Sequence, residues 1–306
     1  MSRFDDGQTR ICCPRTFRDA NWGISGVANS SPAITSLVVT NLKTVTLVLV
    51  AVLAVGCGST ATATHKLPRP PLSAPCAVSA AQGSCGPYNH YAPITGTTSA
   101  TNIGNNVWSP ISGWKQTLSS VDPGDWWVTA NMPPGNTAVV SYPSVGANYG
   151  QISGDAAPLS GFSSLYSSFS ENMNASAATT AWATYDIWLG SSSGSKSTNE
   201  VMIQHDFANN GACTAVASAT FGGSAGVPVQ KWNLCKFGSE LVWKLTGANE
   251  RSGKVNILAM LDWLVAHRYM ATDTGLFSIG YGWEICSTGG LSENFHVSSF
   301  SITANH

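Results

Sequence analysis

Residues 183–189, ATYDIWL, alternate between two faces: Tyr185, Ile187 and Leu189 share one, Asp186 and Trp188 the other. A period of two is the signature of a β-strand. NEVMIQHDF (199–207) repeats it, with Val201, Ile203 and Phe207 on one side and Glu200, Met202, Gln204 and Asp206 on the other. IGYGWEIC (279–286) sets Ile279, Tyr281, Trp283 and Ile285 against Gly280, Gly282, Glu284 and Cys286. If the aliphatic faces turn to a core, Asp186, Glu200 and Glu284 look out from one common open surface. Gly280 and Gly282 then leave room for another stretch of chain to come close. SGKVNILAMLDWLVAHR (252–268) departs from the pattern. Leu258, Leu261, Leu264 and Val265 recur at helical spacing, and His267 and Arg268 suit the negative end of a helix dipole. The spacing predicts one packing helix, about 253–268, in an otherwise all-β domain.

Composition agrees with strands. Only 10% of the 306 residues are charged, while 11 Trp, 8 Tyr and 30 Gly supply a core and its turns. A net charge of −1 gives no electrostatic footprint for nucleic acid or for an anionic membrane surface. A neutral, aromatic-rich and hydroxyl-rich surface suits neutral polar ligands such as sugars.

The N-terminal part reads differently. TVTLVLVAVLAVG (44–56) is too short to span a bilayer, which takes about 20 residues, but has the length of a signal-peptide apolar region with Lys43 as its positive flank. Ala54-Val55-Gly56-Cys57 resembles a lipobox, making Cys57 the candidate lipidation site. An ordinary cleaved signal with an incidental cysteine is the competing reading. The charged stretch before residue 38 fits neither, and suggests a start at Val38 or Val39. Residues 1–57 are therefore expected to be a spurious extension plus a leader. Residues 58–84 then form a Ser/Thr/Pro-rich tether, and the globular domain occupies 85–306, with Cys76 as an alternative start. The protein is expected to be exported, either as a cell-envelope lipoprotein or secreted, monomeric, and tied to a membrane only through the lipid.

Export permits disulfides. Five cysteines follow Cys57, and the simplest pairing closes two short loops, Cys76–Cys85 and Cys213–Cys235, leaving Cys286 free.

Two glutamates on neighbouring strands of one surface are the minimum equipment for glycoside hydrolysis, one ionised to attack and one protonated to release the leaving oxygen. Periodicity alone is weak support, because acidic residues on strands are usually solvated. A set of landmarks adds to it. NNVW (105–108), SYP (141–143), YDIW (185–188), NEVMI (199–203), the late helix, YGWEI (281–285) and SSFSI (298–302) occur in the order typical of glycoside hydrolase family 12, across residues 88–304. The chain resembles that family of endo-β-1,4-glucanases and xyloglucan hydrolases. The resemblance implies a β-jelly-roll sandwich of two curved antiparallel sheets, retaining hydrolysis of a β-glucan polysaccharide, no metal and no cofactor. It makes Glu200 the nucleophile, Glu284 the acid/base and Asp186 the carboxylate beside the nucleophile. Trp108 becomes a sugar platform, Asn106 its polar partner, and Met202 part of the cleft floor.

Gln204 stands where the family usually has Trp, and Ile285-Cys286 where Pro and an aromatic are common, so substrate preference is open. His205 and Asp206 alone fall far short of a metal site. Trp126 and Trp127 cannot both face inward on one strand, which leaves one of them for a surface. Two other readings stay open: a non-catalytic carbohydrate-binding or adhesion lipoprotein on the same scaffold, and the sister xylanase family, disfavoured by Val201 and Met202 after the nucleophile.

Overall fold

The computed structural model describes residues 76–94, 97–108, 113–149, 156–194, 197–209 and 211–306. The leader, Cys57 and the tether as far as residue 75 lie outside them. Sixteen strands and one α-helix follow in chain order: β1 Cys76–Val78, β2 Ser84–Ile94, β3 Thr97–Gly104, β4 Lys115–Asp122, β5 Asp125–Asn131, β6 Ser144–Asn148, β7 Ala157–Pro158 and β8 Ser164–Asn174. Then come β9 Thr180–Ser191, β10 Asn199–Ala208, β11 Ala215–Phe221, β12 Gln230–Phe237, β13 Glu240–Leu245, β14 Ser252–Asn256, α1 Ile257–Ala266, β15 Thr274–Ser287 and β16 Ser292–Asn305.

They build two sheets, giving the expected all-β jelly-roll sandwich. The smaller has the order β1-β4-β5-β16-β8-β14, and the larger β11-β12-β13-β10-β9-β15-β6-β3-β2, with β7 paired to β15. All named pairings are antiparallel except β10 with β13. On β5 burial alternates along the strand, as expected where one face is wet and one packs inward. Between the sheets lies an aromatic interior. Tyr185 meets Tyr281 at 4.8 Å, Tyr281 stacks on Phe300 at 4.7 Å, and Trp126 meets Trp283 edge-on at 5.0 Å. Each such ring contributes several kcal/mol by filling space that truncation would leave empty, about 3–5 kcal/mol for Trp→Ala. Trp126 is therefore the inward member of its pair. Trp127 is half-buried on the outer side of the smaller sheet, edge-on to His296 at 6.1 Å.

The late helix is shorter than its sequence pattern. Residues 252–256 form β14, paired with β8, and the helix begins only at Ile257. Asn256 sets the start: its Oδ1 accepts from the Ala259 N–H at 3.0 Å, capping a donor that the helix leaves unpaired. Ile257, Met260, Leu261 and Leu264 make the buried stripe. His267 closes the other end, its Nδ1 bonding the Trp263 carbonyl at 2.8 Å, and Arg268 turns the chain away at φ 62°.

The two expected disulfides, Cys76–Cys85 and Cys213–Cys235, are formed. Cys286 is not free, however. It too is disulfide-bonded.

Candidate active site

The register of the larger sheet arranges its outer face in rows. Alternation holds along β9, where Tyr185, Ile187 and Leu189 face the interior at 0% exposure. Asp186, Thr184, Trp182 and Trp188 therefore share the other side. Glu200 lies opposite Trp188, Met202 opposite Asp186, and Gln204 opposite Thr184. On the other flank Gly280 lies opposite Asp186, Gly282 opposite Thr184 and Glu284 opposite Trp182. Asp186, Glu200 and Glu284 thus stand on one face of one sheet, as the alternation predicts. Asp186 and Glu200 are diagonal neighbours, a spacing of roughly 7–8 Å that side chains can close. Glu200 and Glu284 are set six positions apart along β9, with the Asp186–Met202 and Thr184–Gln204 rows between them.

Three register shifts interrupt these strands, at Gln204/Asp206 in β10 and at Leu276/Ser278 and Ile285/Ser287 in β15. Such bulges bend a strand and sharpen its twist. The one in β10 also corrects the expectation for Asp206 and Phe207. The extra residue turns His205 and Asp206 both inward, each at 0% exposure, and carries Phe207 to the outer face opposite Trp182. The strict alternation that had put Asp206 beside Glu200 ends at Gln204.

The face is crowded instead of open. Exposure is 9% at Glu200, 5% at Asp186 and 1% at Glu284, and Met202 and Gln204 are buried too. Two small apolar clusters tile it: Trp182, Val139 and Cys286 with Phe207 against them, and Met202, Cys235 and Val242 with Cys213. Asp186 Oδ1 is buried without a hydrogen-bond partner. Lys244, level with Gln204, sits 4.5 Å over the Phe207 ring and donates to the Gly211 carbonyl at 2.7 Å.

Gly280 and Gly282 do what their lack of side chains suggested. A Cβ on Gly282 would lie 2.0 Å from the Pro143 carbonyl oxygen, and one on Gly280 3.2 Å from the Tyr142 hydroxyl. Tyr142 therefore lies across β15, and its hydroxyl donates to the Thr184 carbonyl on β9 at 3.2 Å. Trp108, 44% exposed, tilts against Tyr142 at 6.4 Å. Asn106, at φ 40°, donates to Ser144 Oγ at 3.2 Å. A buried chain fixes this corner: Ser141 Oγ donates to Gln116 Oε1 at 2.8 Å, and Gln116 Nε2 donates to the Asn105 carbonyl and side chain at 2.6 and 2.9 Å. Sequence reasoning named Trp108 and Asn106 but not Tyr142, Gln116 or Thr184. The SYP landmark and the glycine pair were the available signals for Tyr142; nothing in the sequence marked Gln116.

The whole topology has solved counterparts. The family 12 xyloglucanase from Bacillus licheniformis in complex with ligand matches with a TM-score of 0.60 at 21% identity, over 76% of this chain and 100% of that one. The fold is that of glycoside hydrolase family 12. The xyloglucanase domain of NopAA, a type three effector from Sinorhizobium fredii in complex with cellobiose, shares the family 12 fold at TM-score 0.57 and 24% identity, over 75% of this chain and 99% of that one. Endoglucanase cel12A from Rhodothermus marinus shares it at 0.59 and 18%, over 75% and 99%. No family sequence model and no curated protein sequence matches the chain. The likeness is one of fold, at 18–24% sequence identity. Among the described residues no group of three or more His, Cys, Asp or Glu could hold a metal ion.

Proposed function

We propose that the protein is a retaining endo-β-1,4-glucanase, acting on cellulose-type, xyloglucan or mixed-linkage glucan by double displacement. The observation that carries this is the placement of Asp186, Glu200 and Glu284 on one face of the larger sheet of a family 12 fold. Glu200 attacks the anomeric carbon and forms the glycosyl-enzyme, while Glu284 protonates the leaving oxygen and then deprotonates the incoming water. Asp186, diagonal to Glu200, holds the nucleophile's orientation. Retention requires the two carboxyl groups to meet at about 5–5.5 Å across the Met202–Gln204 floor, and a separation of about 6.5–9.5 Å would indicate inversion instead. Trp108 stacks a glucose ring, with Asn106 beside it. The substrate class is supported by the structural neighbours, named as xyloglucanases and an endoglucanase, one of them holding cellobiose.

The two loop-closing disulfides support export to an oxidising compartment. Lipidation at Cys57 would then keep a monomeric enzyme at the cell envelope. Cys57→Ser should release it from the membrane fraction, and an unchanged distribution would leave a simple signal peptide.

Turnover of a panel of soluble β-glucans and xylan tests the activity. Glu200→Ala should lose about 10³-fold or more in kcat, since no other route forms the covalent intermediate. Glu284→Ala should lose less on aryl glycosides, whose leaving group needs little protonation. Azide should yield a β-glycosyl azide from the Glu284 variant and an α-glycosyl azide from the Glu200 variant. No hydrolysis by wild type, with oligosaccharides bound equally by Glu200→Ala, would make the protein a binding module.

A further inference from the structure

The inward turn of His205 and Asp206 places charge where a sandwich normally has none. Asp206 is fully buried and pairs with Arg251, whose Nε donates to Oδ2 at 3.2 Å; its Oδ1 accepts from the Phe207 N–H at 2.9 Å. Facing it from β8 in the opposite sheet is Glu171, at 4% exposure. Glu171 Oε2 accepts from the Trp283 indole on β15 at 3.4 Å, while Oε1 has no donor. Two carboxylates facing each other in the interior repel unless one carries a proton, and a proton on the partnerless oxygen converts the repulsion into a hydrogen bond.

We infer that Glu171 is a protonated positioning residue, bridging Asp206 on β10 to Trp283 on β15 and so holding in register the strands that bear Glu200 and Glu284. Trp283 is the immediate neighbour of Glu284, and Asp206 lies six residues beyond Glu200 on the same strand. The bridge spans the sandwich and meets the active sheet from behind, at the bulge. Its other titratable surroundings favour the neutral acid. Tyr281 packs nearby with burial keeping its hydroxyl protonated, and burial likewise keeps His205 neutral, stacked parallel to Tyr281 at 5.8 Å with its Nδ1 bonding the Glu250 carbonyl. Among the described residues Arg251 is the cation that acts on the pair, and it is bonded to Asp206. Burial first, then the Asp206 charge and hydrogen bond, raise the Glu171 carboxyl to about 9.

The catalytic consequence rests on the proposed roles of Glu200 and Glu284; the proton itself does not. The full chain is examined as wild type, Glu171→Gln and Glu171→Ala. Gln keeps a donor where the protonated acid has one, so Glu171→Gln should melt with wild type near pH 4, where the acid is protonated folded and unfolded alike, while Glu171→Ala melts lower. As the folded acid holds its proton up to about 9 and the unfolded one releases it near 4.5, wild type should lose stability relative to Glu171→Gln from about pH 4.5 to 9. The excess loss over Glu171→Gln should approach tenfold in the folding constant per pH unit. Refolding wild type at pH 7.5 should take up close to one proton by potentiometry, a measurement that needs no variant to fold. On β-glucan, Glu171→Ala should lose at least tenfold in kcat with KM within threefold, and Glu171→Gln should recover most of it. Parallel pH slopes, no proton uptake, or a kcat indifferent to both substitutions would overturn the inference. A wild type that hydrolyses nothing but takes up the proton would overturn the hydrolase reading alone.

Discussion

Gly282 offers a quantitative test of how the site's rim is held. In Gly282→Ala the new Cβ meets the Pro143 carbonyl oxygen at 2.0 Å and the Ser144 Cα at 2.9 Å, both backbone atoms that no rotamer change can move. That carbonyl has to retreat by about 1 Å to reach even a tight 3.0 Å contact. It is the acceptor for the Trp283 N–H at 3.3 Å, and Ser141 next to it accepts from the Ile285 N–H at 3.0 Å, so the retreat loosens the seam between the SYP segment and β15. Overpacking of this kind costs about 1–3 kcal/mol, and loss of the Tyr142–Thr184 bond about 1 kcal/mol more. For a domain of this size the sum lowers Tm by roughly 5–12 °C. Gly146 supplies the control: it stands opposite Gly280 in the same sheet, yet a Cβ there meets only the Ile279 carbonyl at 3.9 Å. Gly146→Ala should therefore melt with wild type. Thermal denaturation followed by tryptophan fluorescence reads both, and β-glucan kinetics should show Gly282→Ala raising KM as Tyr142 and Trp108 shift. Equal melting of the two variants would refute the steric account.

Trp108→Ala should raise KM roughly three- to tenfold at nearly constant kcat, the worth of one stacked ring; a kcat loss with unchanged KM would remove its role as a platform. Burial lowers the His205 imidazole to about 4, so the unfolded chain takes up a proton near 6.5 that the folded one refuses, and the stability this residue contributes should fall as pH drops from 6.5 to 4, against the opposite slope from Glu171. His205→Phe, which preserves stacking on Phe169 at 4.0 Å, should flatten that acid limb in pH-dependent melting; an unchanged limb would assign it elsewhere. Replacing Cys213 and Cys235 together by Ser should cost about 3 kcal/mol for a loop of 22 residues, measured by denaturant midpoint, and no shift would mean the bridge constrains little.

Much of this architecture is legible in the sequence because β9 and β15 keep unbroken alternation over the residues that matter, from Trp182 to Leu189 and from Ile279 to Ile285. That alone puts Asp186 and Glu284 on one face. β10 is legible only to Gln204. A bulge is one residue out of step, and nothing in QHDF announces it, since His and Asp are both ordinary solvent-side residues. The helix start was misplaced because Lys254 and Val255 suit either period, and Asn256 reveals itself as a cap only once the strand before it is seen. Long-range partners were out of reach for the same kind of reason. Gln116 and Ser141, or Glu171 and Asp206, meet only through the stacking of the two sheets.

The bulge in β10 also bears on how this chain is to be laid against its structural relatives. Before it, odd-numbered residues are interior; after it, even-numbered ones are, so the strand changes phase at a single inserted position. An ungapped alignment through His205 would assign Phe207 to the core and Asp206 to the outer face, inverting both environments. Grafting a family-typical aromatic into this stretch by point substitution therefore leaves the downstream phase untouched. Exchanging the residues beyond Gln204 for those of an unbulged relative requires deleting one residue, and with it the interior placement of Asp206.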